Sequence, residues 1–149
     1  MSKLSDFFGS MEPCTSIVNS TSAGTAVNLG YDPPGIVKST LSGALDAGVY
    51  SAALVDVAGS GYLTYCALNG VDATSRTLTL KVVLDGVIVY EATSAALTNA
   101  QTYMLAAGCA TPTGFVLDYI PFLSSLKLYV KSSLGETDKL KLWYQYFLT

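Results

Sequence analysis

The sequence predicts an all-β protein: an eight-stranded, jelly-roll-like antiparallel sandwich with an extended N-terminal arm. Three observations predict this fold. Apolar residues recur with a period of two after residue 46, turn residues separate most of these stretches, and no helical pattern interrupts them. Hydrophobic residues make up 50% of the 149 and charged residues only 13%, against about 25% in ordinary domains. Such a chain buries both faces of a sheet or covers much of its surface with partners.

The hairpin over residues 77–93 is the best-defined element of the sequence. Apolar residues occupy every second position from Leu78 to Leu84, which places one row of side chains in a core. Asp85 and Gly86 follow, and this pair is typical of a type I′ turn, in which both central residues have positive φ. Residues 87–93 then return as a strand that begins with β-branched side chains. We therefore predict a two-residue hairpin with Gly86 at positive φ.

Eight strands are predicted in chain order within residues 46–149. They cover residues 49–57, 62–68, 76–84, 87–93, 102–106, 115–121, 125–131 and 140–148. Turn residues separate most of them, as at Gly59-Ser60-Gly61 and at Asn69-Gly70. Eight short, evenly spaced strands favour a sandwich or barrel, and an eight-stranded jelly roll fits this pattern best.

Two segments precede the predicted sandwich. Residues 13–45 are rich in Ser, Thr, Gly and Pro, which predicts an extended linker or arm with one or two short strands, such as residues 25–29. Residues 1–12 are predicted to form a docking arm. Its apolar residues share one face of a short helical turn: Leu4, Phe7, Phe8 and Met11. Because a helix this short is marginal alone, we expect the arm to dock on another surface.

The residue types limit the chemistry that this chain can perform. Histidine is absent, which removes the commonest general base and excludes Ser-His-Asp and Cys-His nucleophile systems. Most carboxylates lie beside turn residues, where they ordinarily cap backbone N–H groups. A calcium site at Asp72, or at Glu136 and Asp138, is an alternative interpretation. A carboxylate pair for glycan hydrolysis is another, but no spacing singles out a pair. We predict no catalytic residue, no cofactor and no metal.

Charge, hydropathy and cysteine content limit the kinds of partner and the cellular compartment that the sequence predicts. The net charge of −3 and the pI of about 4.6 argue against nucleic-acid binding. No apolar run reaches the roughly 18 to 20 residues of a membrane span, and the N-terminus lacks the apolar stretch of a signal peptide. Cys14, Cys66 and Cys109 lack zinc-type spacing. We predict three free thiols, made in a reducing cytoplasm.

The last two predicted strands carry the most distinctive surface residues. Aromatic side chains occupy both faces of the final strand: Trp143, Tyr144, Tyr146 and Phe147. Together with the low charge content they predict an oligomer interface. A sugar-stacking platform centred on Trp143 is the alternative. Lysines mark the same hairpin: Lys127, Lys131, Lys139 and Lys141. They predict a solvated face or an edge protected against aggregation.

Three parts of the chain resemble virion proteins of tailed phages. Residues 120–131 and 142–147, which read IPFLSSLKLYVK and LWYQYF, resemble the closing hairpin of small β-sandwich domains in such proteins. The Leu-Asp-Gly-Val hairpin at residues 84–87 fits the same group, and the opening MSKLSDFFG is similar to the N-terminal arms of phage particle proteins. The resemblance covers residues 46–149 and the first ten. It implies a non-enzymatic structural subunit, commonly a trimer, on a capsid or tail.

The resemblance and the residues together predict a function. We expect a trimeric capsid decoration or cement protein that is anchored by its N-terminal arm and bound to the major capsid protein or to tail proteins of the same particle. Its location would be the virion, after assembly in the host cytoplasm. A tail-fibre or tail-adaptor component is the first alternative. A carbohydrate- or receptor-binding sandwich module and a small glycan hydrolase are the others.

Overall fold

The structure, a computed structural model, describes residues 25–28, 37–40, 43–97, 102–107, 109–111, 114–116 and 119–149. The side chains described are those of residues 43–97, 106–107 and 119–149. Strands, turns and irregular segments account for all of these residues, and none of them is helical. The predicted docking arm, with Leu4, Phe7, Phe8 and Met11, lies outside the described residues.

Fourteen strands occur in this part of the chain. In order they are β1 (Thr25–Asn28), β2 (Val37–Thr40), β3 (Ala44–Leu45), β4 (Val55–Ala58), β5 (Gly61–Gly70), β6 (Leu78–Leu84), β7 (Val87–Thr93), β8 (Thr102–Ala107), β9 (Cys109–Thr111), β10 (Gly114–Val116), β11 (Ile120–Phe122), β12 (Ser125–Ser132), β13 (Glu136–Thr137) and β14 (Leu140–Leu148). The prediction of an all-β fold is confirmed.

Two antiparallel sheets contain most of these strands. The first sheet has the order β1-β8-β5-β14-β2, with β11 beside the start of β5, and the second has the order β4-β12-β6-β7. Two short pairs, β13 with β3 and β10 with β9, complete the set. The strands β1 and β2 come from the segment predicted as a linker, and they form the outer strands of the first sheet.

Eight strands of the two sheets are paired in a nested order along the chain. Taken in sequence they are β2, β4, β5, β6, β7, β8, β12 and β14. The first pairs with the eighth, the second with the seventh, the third with the sixth and the fourth with the fifth. The whole set therefore has the pairing of one long hairpin, whose strands are divided between two sheets.

The core lies between the inner faces of these sheets. In β6 and β12, side chains at every second position are buried, as the alternation predicted. Val82 lies beside Leu128 on the neighbouring strand, and Leu80 lies beside Val130. The first sheet adds Leu68 and Leu142, among others, to the same buried cluster. Full burial of such side chains stabilises the fold by about 1.5–3 kcal/mol each.

The predicted hairpin between β6 and β7 is confirmed. Asp85 has a φ of 55° and Gly86 a φ of 78°, and Leu84 pairs with Val87 across the two-residue loop. Positive φ at both central positions is the conformation of a type I′ turn. The pairing of β6 with β7 shifts register between Val82 and Val83: Val83 pairs with Ile88, whereas Val82 pairs with Tyr90.

Three predicted boundaries are wrong. The strand predicted over residues 115–121 is two strands, β10 and β11, which belong to different sheets. In the strand predicted over residues 49–57, only β4 is regular. The preceding backbone N–H groups of Gly48, Ser51 and Leu54 bond to carbonyls two residues apart in β12. Every three residues of this segment therefore lie opposite two residues of β12, which is bulged rather than regular pairing.

The third incorrect prediction is the turn at Asn69-Gly70, because both residues belong to β5. Tertiary contacts extend the strand through this pair. The Asn69 side chain accepts the indole N–H of Trp143 at 2.8 Å, and Asn69 pairs with Lys141 of β14. The absent side chain of Gly70 leaves the space that the Arg76 guanidinium occupies. The chain turns only after Gly70.

Candidate docking surface

Two of the three carboxylates considered for calcium, Asp72 and Glu136, are engaged in an ion-pair network. Glu136 and Arg76 are both 4% exposed, and Arg76 Nε donates to Glu136 Oε1 at 2.6 Å. Arg76 Nη2 also bonds to Asp72 at 2.8 Å, and Lys139 Nζ reaches the same carboxylate at 2.9 Å. Bonds from Lys139 first and Arg76 second hold the pKa of Asp72 well below its usual range. No cluster of three metal-binding side chains occurs among the described residues.

Three carboxylates beside turns bond to backbone N–H groups, and one of them, Asp72, does so within its own turn, as the sequence predicted. Asp72 accepts the N–H of Thr74 at 3.1 Å, and Asp138 accepts the N–H of Gly43 at 2.9 Å. Asp85, like Asp138, bonds to residues that are distant in sequence: Leu123, Ser124 and Ser125. These carboxylates stabilise turns and loops.

The four predicted interface residues have different surroundings. Trp143 is 2% exposed, on the face of the first sheet that carries Asn69. Tyr144 and Tyr146 are half-buried against the core, with their rings stacked at 6.2 Å. Phe147 is 48% exposed. Phe147 is the one exposed side chain of the four. The role of the four residues in an oligomer interface stays a prediction.

A surface that the sequence did not predict lies at one end of the sandwich. Eight large hydrophobic side chains are exposed among the described residues, and six of them lie at this end. We name this surface the apolar end, and it consists of Val87, Ile88, Tyr119, Leu123, Phe147 and Leu148. They surround this end rather than share one face: Ile88, paired with Val83, lies on the outer face of the second sheet, and Phe147, paired with Tyr62, lies on the outer face of the first. A group of exposed apolar side chains at one end is a candidate interaction surface.

Hydrogen bonds bring distant segments together at the apolar end. Gly61 pairs with Phe122 on one side and with Leu148 on the other. A Cβ atom at Gly61 would collide with the carbonyl oxygen of Phe147, so glycine is required for this close approach. The backbone N–H of Gly59 donates to the carbonyl of Ser124 at 2.9 Å.

The Asp85 carboxylate holds the most exposed member of the group in place. Its oxygens accept the backbone N–H groups of Leu123 at 2.9 Å, Ser124 at 2.6 Å and Ser125 at 3.1 Å. These bonds, with Ser124 first, lower the pKa of Asp85 to about 2. Leu123 is 81% exposed, although its backbone is bonded on a loop that is fixed to the β6–β7 turn. An exposed leucine on an anchored loop is suited to contact with a partner.

The apolar end is nearly free of charge. Within residues 58–62, 84–88, 119–125 and 146–149, Asp85 is the only charged side chain, and backbone N–H groups bond to it. Aromatic side chains continue the surface, since Tyr119 contacts Tyr62 edge-on at 6.2 Å between ring centroids. An apolar, partly aromatic surface with few charges has the composition of the core of a protein–protein interface.

The lysines of the predicted stripe do not share one environment: Lys131 contacts Tyr50, Lys139 contacts Asp72 and Lys127 contacts Asp56. Lys131 lies 4.6 Å from the centre of the Tyr50 ring, and Lys81 lies 4.1 Å from the same ring and 4.5 Å from that of Tyr129. The Tyr50 hydroxyl donates to Glu91 at 2.6 Å, and burial followed by this bond raises the pKa of Tyr50. These cation–π contacts fasten the segment before β4 across the outer face of the second sheet.

Comparisons with protein-family models, with curated proteins and with solved structures find no match to this chain. No helix in the described part of the chain is long and apolar enough to span a bilayer.

Proposed function

We propose that this protein is a non-enzymatic structural subunit of a tailed-phage virion, a trimeric capsid decoration or cement protein anchored by its N-terminal arm. The observation that carries the proposal is the apolar end: a group of exposed apolar side chains at one end of the sandwich. Subunits that assemble need such a surface, because burial of apolar area drives most protein association.

The order of strand pairing supports a jelly roll as the fold of this subunit. Eight strands nest from first-with-eighth to fourth-with-fifth and divide between two sheets. A jelly roll is built in this way, from one antiparallel ribbon rolled into a two-sheet sandwich, and capsid proteins use it widely. The fold alone does not define a function, so the proposal depends on the surface as well.

The engaged carboxylates support a non-enzymatic role. Arg76 pairs with Asp72 and Glu136, and three backbone N–H groups bond to Asp85. A glycan hydrolase needs one carboxyl group protonated and another free to act as base or nucleophile. The lowered pKa of Asp85 suits a loop anchor that is ionised at neutral pH instead.

The buried indole disfavours the sugar-binding alternative. A stacking platform needs an open aromatic face, and Trp143 is 2% exposed with its N–H bonded to Asn69. Among the described residues, the large aromatic side chains that are exposed are Phe147 and Tyr119, and both lie in the apolar end. That setting suits a protein partner better than a polar sugar.

Quantitative mass spectrometry of purified virions tests the proposal. A decoration protein should be present at a copy number of the same order as the major capsid protein. A copy number far below that of the capsid protein would place it in the tail, and its absence from washed particles would overturn the proposal. Sedimentation of the full chain should give the mass of three chains, and a monodisperse monomer would overturn the trimer.

Deleting residues 1–12 tests the anchoring role of the arm. When the truncated chain replaces the full chain during assembly, incorporation into particles should fall strongly. The truncated chain should stay folded and oligomeric, with little change in melting temperature. Truncated protein at the normal copy number would refute anchoring by the arm.

A further inference from the structure

We propose that residues 48–54 form a strap that opens as a local unit and uncovers the edge of β12, with Tyr50 as the latch that keeps it closed. The strap is the irregular segment before β4. Both of its ends are anchored in the core, because Leu45 is 7% exposed and Val55 is 5% exposed. The inference goes beyond the proposed function and does not depend on it.

The strap covers β12 through irregular hydrogen bonds. Gly48 donates its backbone N–H to the carbonyl of Ser132 at 2.8 Å, and Ser51 donates its own to the carbonyl of Val130 at 2.8 Å. The N–H of Val130 donates to the side-chain oxygen of Ser51 at 3.1 Å rather than to a backbone carbonyl. The regular pairing of β12 with β4 ends at Leu128. Beyond it, the edge of β12 is covered by a bulged segment.

Few buried contacts hold the strap in place. None of residues 48–54 is buried, and Val49 is 53% exposed. Leu54, at the end next to β4, is the strap residue that packs partly against the core. A segment with few buried apolar contacts opens at a lower free energy than the whole fold. The strap therefore meets the physical condition for local opening.

Tyr50 connects the strap to the far edge of the second sheet. Its hydroxyl donates to Glu91 Oε2 at 2.6 Å, and Glu91 lies on β7, at the opposite edge of this sheet from β4. The Tyr50 ring crosses the outer face between them, with Lys81 Nζ 4.1 Å and Lys131 Nζ 4.6 Å from its centre. A hydrogen bond to a carboxylate is stronger than one between neutral groups. Release of Tyr50 would therefore free the strap.

Opening of the strap would uncover a strand edge. The N–H and the carbonyl of Val130 and the carbonyl of Ser132 would lose their partners in the strap. An uncovered edge of a regular strand can pair with a strand of another chain, whereas a bulged segment over the edge prevents such pairing. The closed strap therefore protects β12, and Tyr50 determines how often this protection is lost.

Amide hydrogen exchange, measured by NMR on the ¹⁵N-labelled full-length protein, tests the inference. The amides of Ser51 and Val130 are the two reporter amides, because each donates across the boundary between the strap and β12. The amide of Val82, in the middle of the second sheet, reports on larger unfolding. The reporter amides should have similar protection factors, about tenfold or more below that of Val82. Low urea concentrations should lower the protection of Val82 and leave the reporter amides nearly unchanged, since local opening exposes little surface.

Two substitutions of tyrosine by phenylalanine test the latch. Tyr50→Phe keeps the ring but removes the bond to Glu91, and it should lower the protection of the reporter amides about three- to tenfold, the effect of one lost hydrogen bond. Tyr129→Phe is the matched control. The Tyr129 ring also lies beside Lys81, at 4.5 Å, but its hydroxyl has no hydrogen bond among the described residues. The protection of the reporter amides should not change in this control.

Gly86→Val separates strap opening from general stability. Gly86 has a φ of 78°, which a β-branched residue disfavours, so the substitution weakens the β6–β7 hairpin in the open and closed forms alike. It should lower the protection of Val82 and leave the reporter amides unchanged.

Three results would overturn the inference. The first is that the reporter amides exchange only as fast as Val82 and with the same urea dependence. The second is that Gly86→Val lowers the protection of the reporter amides as much as that of Val82. The third is an equal effect of Tyr50→Phe and Tyr129→Phe, which would show that Tyr50 is not the latch.

Discussion

The backbone N–H of Ser124 donates a hydrogen bond of 2.6 Å to Oδ1 of Asp85, across 39 residues of sequence. Asp85 also occupies the first position of the β6–β7 turn at a φ of 55°. One residue thus forms a hairpin and fixes a loop from another part of the chain. The exposed Leu123 owes its place at the apolar end to this contact.

Replacing Asp85 should change the acid sensitivity of the protein. The pKa of this carboxyl is lowered from 3.8 to about 2 in the folded state, so the ionised form favours folding. Its contribution to the free energy of unfolding is complete above about pH 4 and is lost as the pH falls toward 2. Asp85→Asn keeps a side chain that tolerates positive φ and removes this titration. Urea midpoints measured between pH 5 and pH 2 (a window set by the linkage) should fall less steeply for the variant, and parallel curves would contradict the prediction.

Replacing Gly86 should weaken the hairpin through backbone conformation alone. No atom lies within 4 Å of a Cβ built at this residue, whereas its φ of 78° disfavours β-branched side chains. Gly86→Val should lower the free energy of unfolding by more than about 1 kcal/mol, and Gly86→Asn by less. Gly135→Val is the control, because Gly135 is exposed without positive φ. Equal urea denaturation curves for Gly86→Val and the parent would show that the turn is drawn wrongly.

Removing the buried cation should be far more damaging than removing an exposed one. Arg76→Met leaves Glu136 buried at 4% exposure without its charge partner, which costs about 3–5 kcal/mol. Arg76→Met combined with Glu136→Met should recover part of this loss, because no charge then remains unpaired. Lys127→Met is the comparison, since its contact with Asp56 is exposed and 3.9 Å long, worth about 0–1 kcal/mol. Similar losses for Arg76→Met and Lys127→Met would refute the buried network.

The Cys66 thiol should react only when the protein unfolds. Cys66 is free and fully buried, and burial raises the pKa of its thiol, so the reactive thiolate is scarce. A thiol reagent near pH 8, close to the ordinary thiol pKa of about 8.5, should leave Cys66 unmodified in the native protein. Under denaturing conditions all three cysteines should titrate. Rapid modification of native Cys66, or a Cys66–Cys109 disulfide in fresh protein, would contradict this.

Strands that follow local patterns were predictable to the residue. Residues 87–93 and 140–148 match β7 and β14, because alternation and the Asp-Gly turn act within a few residues. The prediction of a single strand over residues 115–121 was wrong because local composition does not show where a chain changes its partner strand. The turn predicted at Asn69-Gly70 was wrong because two tertiary contacts override the usual turn preference of this pair. Asn69 bonds to Trp143, which is distant in sequence, and the Arg76 side chain returns to Gly70 after the following turn.

The candidate docking surface was less predictable than the fold. Its local signals are two adjacent apolar pairs that interrupt the alternation of apolar and polar residues, Val87-Ile88 and Phe147-Leu148. The alternation does not show that these pairs lie at the same end of the sandwich as Leu123 and Tyr119, because that depends on strand order and register. The aromatic residues of the last strand were recognisable, but their burial was not.

The sequence by itself determined the all-β class, the hairpin at residues 77–93, and a composition with few charges and no histidine. Each of these depends on residue type or on neighbours within one strand. Only the tertiary structure decided that Asp85 holds Leu123, that Trp143 is buried beside Asn69, and that six exposed apolar side chains lie around one end. Alternation defines which side chains of a strand share a face, but strand order and register decide what that face contacts. Those depend on hydrogen bonds between residues far apart in the chain.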